Sequence, residues 1–157
     1  MSPVELRRLL DDERTITLAT ISRNGMPHLA AMWYAVADDT IIMWTNRASQ
    51  KACNLRRDPR ASLLLQAGDS HDELRGFCLE CAAEVVTDCD TVRRLGSTIY
   101  GRYFERSSDT EQLLDKEARR RIGIRLHVKQ ARTWDHRRLT RSHSPRSNSS
   151  ASYSEAR

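Results

Sequence analysis

The spacing of hydrophobic residues changes from helical to strand-like within the first third of this chain. Apolar side chains recur at helical intervals behind a serine cap and a proline in the first turn, at Val4, Leu6, Leu9 and Leu10. From residue 15 to residue 21 β-branched residues are frequent, Asn24-Gly25 is a hairpin signal, and apolar segments follow at 28–37 and 40–45. The pattern predicts an amino-terminal helix and then three short antiparallel strands.

Beyond residue 45 the pattern predicts three further strands and three helices. The strands are expected at 60–66, 76–87 and 122–134, and the last of them alternates apolar residues at Ile122, Ile124, Leu126 and Val128. The helices are expected at 48–57, from Asp90 to about residue 104, and after a capping box that starts at Ser108. Six strands with few helices indicate a mainly β domain of the α+β kind, built as a small closed barrel.

The carboxyl-terminal residues differ in composition from the rest of the chain. Residues 140–157 are rich in serine and arginine and contain almost no apolar side chains. Such a segment cannot offset the entropy lost on ordering, so a disordered tail is predicted after a single domain at 1–139.

More than half of the net charge of +5 lies in the last twenty residues. Residues 138–157 hold four arginines against one glutamate, which is +3, so the remaining 137 residues carry only +2. No helix-turn-helix, zinc-finger or RNA-binding signature accompanies the charge, and nucleic acid is therefore a disfavoured partner. No apolar stretch approaches the ~20 residues of a membrane helix and no signal peptide is recognised, so a cytoplasmic protein without membrane contact is expected.

The four cysteines do not form a metal-binding pattern. Cys78 and Cys81 have a metal-like spacing, but two further ligands at suitable spacing are missing, and on a strand the two side chains point to opposite faces. Cys53 and Cys89 have no such partners. We expect buried free thiols and no metal.

The segment around residue 50 carries the clearest candidate chemistry. An apolar strand ends at Thr45 and Asn46, and a helix then starts near Ser49 and carries Lys51. Hydroxyls, free backbone N–H groups and an ammonium at a helix amino terminus favour a bound phosphate. The alternative is an ordinary capped helix with an exposed lysine.

Four arginines crowd the same region, at positions 47, 56, 57 and 60. They form either a solvated basic face or a binding surface for a polyanionic ligand, because an arginine cluster suits several carboxylates.

These residues resemble the cofactor-phosphate loop of the pyridoxamine-phosphate-oxidase-like split β-barrel family. The matching positions are Trp44, Thr45, Asn46, Ser49, Gln50, Lys51, Ala52, Asp58 and Pro59. Residues 18–21 and 24–28 resemble the opening hairpin of the family, and residues 133–139 resemble a carboxyl-terminal strand of its actinobacterial members. Those members often use the deazaflavin coenzyme F-420 instead of FMN.

Two departures from the family pattern limit what the resemblance implies. Ala30 stands where the pyridoxamine phosphate oxidases proper have an arginine that contacts the flavin phosphate, and their carboxyl-terminal Arg-Leu-His motif is missing. The resemblance therefore implies the cofactor-binding scaffold and argues against the vitamin-B6 reaction.

The resemblance also implies a fold, an assembly and a set of site residues. It implies a six-stranded antiparallel split β-barrel with a few peripheral helices, paired as a homodimer with the cofactor in the cleft between protomers. The implied cofactor-binding residues are His28, Leu29, Ala30, Met32, Thr45, Asn46, Ser49, Gln50, Lys51, Arg57 and Trp134. Two alternatives stay open: residues 28–32 as plain barrel wall, and Trp134 as a core residue.

Three functions are compatible with these observations. The first is a deazaflavin-dependent oxidoreductase, or an FMN-dependent one, that passes a hydride to or from a small organic substrate and needs no catalytic side chain. The second is a non-catalytic module that binds a flavin or haem. The third is a basic protein that interacts through its tail. Asp135 and His136 are neighbours on a strand and point to opposite sides, so no acid–base pair is assigned to them.

Overall fold

The computed structural model describes residues 1–140 as a curled antiparallel sheet with five helices around it. The helices are α1 (Pro3–Asp12), α2 (Gln50–Arg57), α3 (Cys89–Tyr103), α4 (Ser108–Ala118) and α5 (Arg137–Thr140). The strands are β1 (Ile16–Ile21), β2 (Pro27–Met32), β3 (Ala35–Ala37), β4 (Thr40–Asn46), β5 (Arg60–Ala67), β6 (Arg75–Val86) and β7 (Arg121–Asp135). Residues 141–157, and with them all but the first residue of the predicted tail, lie outside the described part.

The order of the strands explains the barrel. The sheet runs β2-β1-β5-β6-β7-β4-β3, so its two edge strands are neighbours in the chain. Only Trp33 and Tyr34 join them. A linker of two residues spans at most about 10 Å, so the sheet must curl until its edges approach each other. This is the predicted split barrel.

The strand count is seven instead of the predicted six, because the expected strand at 28–37 is interrupted at Tyr34. The side chain of Tyr34 is fully buried, and its hydroxyl donates to Leu10 O at 2.8 Å. Its backbone N–H donates to the hydroxyl of Tyr103 at 3.1 Å instead of to a strand. The tyrosine therefore turns the chain from one sheet edge to the other.

Two apolar layers hold the sheet. One fills the barrel and contains Leu18, Met43, Leu63, Phe77 and Ile124 among others. The other lies outside β4 and β7 under α3 and α4, and includes Ile42, Trp44, Val92, Ile99 and Leu114. On the opposite outer face, formed by β1, β2 and β5, no helix of residues 1–140 covers Leu29 and Leu64, which are exposed at 64% and 39%.

Several local expectations need correction. The third helix is capped by Asp88 and not by Asp90, since the Asp88 carboxylate accepts from Thr91 N. Val128 is 43% exposed, so the buried alternation of β7 ends at Leu126, just before the bulge that Lys129 forms opposite the step from Glu80 to Cys81.

The cysteines also depart in part from expectation. Cys53 and Cys89 are exposed, Cys78 is half-buried, and only Cys81 is buried. Among residues 1–140 no helix combines the length and apolarity that crossing a membrane requires.

Candidate functional site

The amino end of α2 assembles the predicted hydroxyls. Ser49 caps the helix by accepting from Ala52 N at 3.4 Å, and the hydroxyls of Ser49 and Thr45 lie 3.2 Å apart. Asn46 orders the preceding turn, because its side-chain oxygen accepts from Ala48 N at 2.9 Å. The backbone N–H groups of Gln50 and Lys51 have no acceptor within the described residues. The turn thus presents two free donors and a hydroxyl pair.

The head group of Lys51 is uncommitted. Its ammonium has no hydrogen bond or ion pair within residues 1–140. Arg57, at the other end of α2, instead donates to the carbonyl oxygen of Ile21. Since the helix dipole places positive charge at the same end as Lys51, this end attracts an anion.

A buried asparagine, which the sequence did not single out, connects this turn to the opening hairpin. Gln50 Nε2 donates to Asn54 Oδ1 at 2.8 Å, and Asn54 Nδ2 donates to Thr20 Oγ1 at 3.0 Å. Thr20 is the cross-strand partner of His28 on β2. The network therefore holds α2 against the end of β1, and through the pairing of Thr20 with His28 it places Gln50 and His28 at the same end of the barrel. The signal in the sequence was the helical spacing of Gln50 and Asn54 on one face.

The predicted residues of β2 divide between its two faces. His28, Ala30 and Met32 pair with Thr20, Leu18 and Ile16 on the inner face, and Met32 is only 8% exposed. Leu29 points outward. Because β2 is an edge strand, one side of its backbone has no partner strand in the described chain.

Trp134 lies far from α2 in the same chain. It pairs with Gly76 of β6 and covers it, because a Cβ on Gly76 would lie 2.6 Å from Trp134 Cζ2. Arg60, just after α2, pairs with Ala82. The two β6 positions are six residues apart, or roughly 20 Å of strand. The structure thus does not bring Trp134 to the α2 end of its own barrel.

The neighbours of Trp134 have structural partners. Asp135 accepts from the guanidinium of Arg137 at 2.7 and 2.8 Å, which lowers the pKa of its carboxyl to about 2. His136 Nδ1 lies 2.8 Å from the carbonyl oxygen of His71. The two residues bond to different groups, and His136 lies in the turn after β7 and not on the strand.

The basic cluster beside α2 includes a residue that was missed. Arg47 N donates to Arg120 O at 3.0 Å, and Arg56 donates to Arg47 O at 2.7 Å. Arg60 is instead paired with Asp58 at 2.7 Å. None of Arg47, Arg56 or Arg120 has a carboxylate partner within residues 1–140. The backbone of Arg120, just after α4, thus lies against Arg47, a contact that only the tertiary fold creates.

A cleft of about 510 Å³ opens on the outer face beside these elements. It reaches from the junction of β1 and β2 across β5 to the bulge of β7, and its lining includes Ile21, Pro27, Arg60, Ser62, Glu80 and Lys129. Burial raises the pKa of the nearby Cys81 thiol to about 11, so the thiolate nucleophile is scarce at neutral pH. Within residues 1–140 no three His, Cys, Asp or Glu side chains form a metal-binding group.

Comparison with known proteins places the chain. The model of the family described as pyridoxamine 5'-phosphate oxidase matches residues 2–135. A crystal structure of a conserved hypothetical protein from Mycobacterium tuberculosis is 42% identical, with a TM-score of 0.83 over 96% of this chain and 95% of that one. A search of curated proteins finds no match.

More distant structures share the fold alone. One titled F420 Reductase is 20% identical, with a TM-score of 0.64 over 83% of this chain and 98% of that one. HutZ, titled a haem storage protein from Vibrio cholerae, is 14% identical, with a TM-score of 0.67 over 85% and 93%. The same scaffold therefore occurs in proteins whose names refer to different ligands, F420 and haem.

Proposed function

Because the chain belongs to the pyridoxamine 5'-phosphate oxidase family, we propose that it is an oxidoreductase that binds coenzyme F-420 between the protomers of a homodimer. The bound deazaflavin would supply hydride transfer to or from a small organic substrate. The protein's own residues would bind the phosphate, orient the ring and exclude water. No side-chain acid or base is assigned.

The uncompensated charge of Lys51 carries this proposal. The ammonium stands at the amino end of α2 beside two free backbone N–H groups and the Thr45–Ser49 hydroxyl pair. This donor set suits a phosphate oxygen, since every group present is a cation or a hydrogen-bond donor. A phosphate fits this turn better than a neutral ligand does.

The basic cluster supports the deazaflavin over FMN. Coenzyme F-420 has an oligoglutamate tail, whereas FMN ends at its phosphate. Arg47, Arg56 and Arg120 lie next to the proposed phosphate site without carboxylate partners in the described chain. Several guanidinium groups that lack carboxylates match a ligand that brings several carboxylates.

The position of Trp134 and the sheet face that no helix of residues 1–140 covers support the dimer. The proposed phosphate site and Trp134 lie at opposite ends of β6, and the outer face between them exposes Leu29 and Leu64. In the proposed dimer a partner covers this face and supplies Trp134 to the site.

The test is a calorimetric titration of the whole protein with FMN, coenzyme F-420 and F-420 lacking its glutamates. Lys51→Ala should weaken every phosphate-bearing cofactor by about ten- to a hundredfold, as expected for a lost charge-assisted hydrogen bond. Arg8→Ala is the control, because it removes an exposed positive charge from α1, away from the site. Equal affinity of Lys51→Ala and the wild type would refute the phosphate assignment.

The same titrations separate the alternatives. Tight binding of FMN alone would assign the protein to FMN-dependent chemistry. Binding without turnover of any tested acceptor, or binding of haem in preference to both cofactors, would favour the non-catalytic module, a role in keeping with the haem-storage title of one structural neighbour.

A further inference from the structure

An exposed group of aromatic rings lies at the end of β2. Trp33 stacks on Tyr103 with ring centroids 4.7 Å apart and an interplanar angle of 13°. Phe104 meets the Trp33 indole edge-on at 5.5 Å. Trp33 and Phe104 remain 44% and 48% exposed. Tyr103 is the one ring within residues 1–140 that stacks on the indole, so nearly half of the Trp33 surface stays open to solvent beside this stacked pair.

The group is held rigidly. The Tyr103 hydroxyl accepts from Tyr34 N at 3.1 Å and lies 2.9 Å from Arg14 O, and the guanidinium of Arg14 lies 5.6 Å from the Tyr103 ring centroid. Phe104 in turn contacts Tyr100 at 5.2 Å. A fixed ring binds a flat ligand with little loss of side-chain entropy.

The position of the group relates it to the proposed cofactor site. The hydrogen bonds from α2 through Asn54 to Thr20 fix the phosphate end near His28, at the start of β2. Trp33 follows the last residue of β2, five residues after His28, or about 16 Å along the strand. This span is comparable to the length of a tricyclic cofactor with its phosphate arm. A cofactor laid along β2 therefore brings its ring towards Trp33.

We propose that Trp33, Tyr103 and Phe104 (the aromatic platform) bind a planar conjugated substrate next to the cofactor ring. The proposal rests on the proposed function, and it adds the class of substrate: flat, unsaturated molecules of two or more fused rings. Saturated molecules of equal size lack the flat face that stacks on the indole, and bind more weakly.

The experiment compares two probes with the same carbon skeleton, 2-naphthol and trans-2-decalol, by calorimetry on the whole protein without cofactor. The wild type should bind 2-naphthol more tightly than the decalol. Trp33→Leu keeps an apolar side chain but removes the flat ring, and should lower 2-naphthol affinity by about tenfold, whereas Trp33→Phe should keep most of it. Leu113→Ala, which trims another exposed apolar side chain on α4, should bind as the wild type does.

Each contrary result overturns the proposal. Absence of 2-naphthol binding, equal binding of the two probes, or unchanged affinity in Trp33→Leu would each do so. A wild-type dimer that does not bind 2-naphthol, together with a Trp33→Leu variant that sediments as a monomer, would show that the platform is a contact between subunits instead. Cofactor affinity is measured on the same variants in separate titrations. Failure of cofactor binding refutes the proposed function, whereas 2-naphthol binding alone tests the aromatic platform.

Discussion

Asn54→Ala tests whether the network under the phosphate turn holds α2 in place. Asn54 is fully buried and makes two hydrogen bonds, accepting from Gln50 at 2.8 Å and donating to Thr20 at 3.0 Å. Its removal leaves the hydroxyl of Thr20, only 1% exposed, without this partner. An unsatisfied buried hydroxyl costs about 1–3 kcal/mol, and the small cavity adds about 1 kcal/mol.

The free energy of unfolding should therefore fall by about 2–4 kcal/mol. For a domain of this size that is a decrease in Tm of roughly 10 °C, measurable by scanning calorimetry. Cys53→Ala, on the neighbouring exposed position, should change stability by less than about 0.5 kcal/mol. Affinity for FMN or coenzyme F-420 should also fall in Asn54→Ala, because Gln50 and the free N–H groups beside it lose their support.

A double substitution separates lost hydrogen bonds from lost packing. Asn54→Leu with Thr20→Val replaces both polar partners by apolar ones, and should be more stable than Asn54→Leu alone. If Asn54→Ala is within 0.5 kcal/mol of the wild type, or if the second substitution gives no recovery, the network is not what fixes the helix.

Two further predictions concern stability. Gly96→Ala should destabilise the protein by about 1–2 kcal/mol in urea unfolding, because the new Cβ would meet Trp44 Cζ3 and this overpacking outweighs the gain in helix propensity. Gly101→Ala in the same helix meets nothing within 4 Å and should stabilise the protein, so equal effects of the two substitutions would contradict the reasoning. The Arg137 guanidinium lowers the pKa of Asp135 to about 2, so this pair should stabilise the fold above pH 4 and lose its effect as the pH falls towards 2. The amount by which Asp135→Asn lowers the Tm should therefore shrink over that range, and a Tm difference that does not change with pH would contradict the prediction.

The sequence predicted the fold well because each strand carried its own local signal. β-branched residues mark β1, and Asn24-Gly25 marks the first hairpin, where Gly25 indeed has a φ of 84°. The break at Tyr34 had no such signal, since the tyrosine leaves the strand for hydrogen bonds with Leu10 and Tyr103, which are distant in sequence. Tertiary partners of this kind override a continuous apolar pattern.

The candidate site was only partly predictable for a similar reason. Thr45, Asn46, Ser49 and Lys51 lie within seven residues of the chain, so their proximity followed from sequence spacing. Arg120 lies between α4 and β7, and its contact with Arg47 depends on the register between β4 and β7. Whether the assembled residues bind the proposed cofactor remains a prediction.

The roughly 20 Å of β6 between the α2 end and Trp134 has a genetic consequence under the proposed dimer. Each composite site takes Lys51 from one subunit and Trp134 from the other. A subunit that lacks Lys51 and a subunit that lacks Trp134 would each be defective as a homodimer. Mixed together, they would form a heterodimer in which one site carries both defects and the other carries neither. Two inactive alleles would then complement each other to half of the normal activity per dimer.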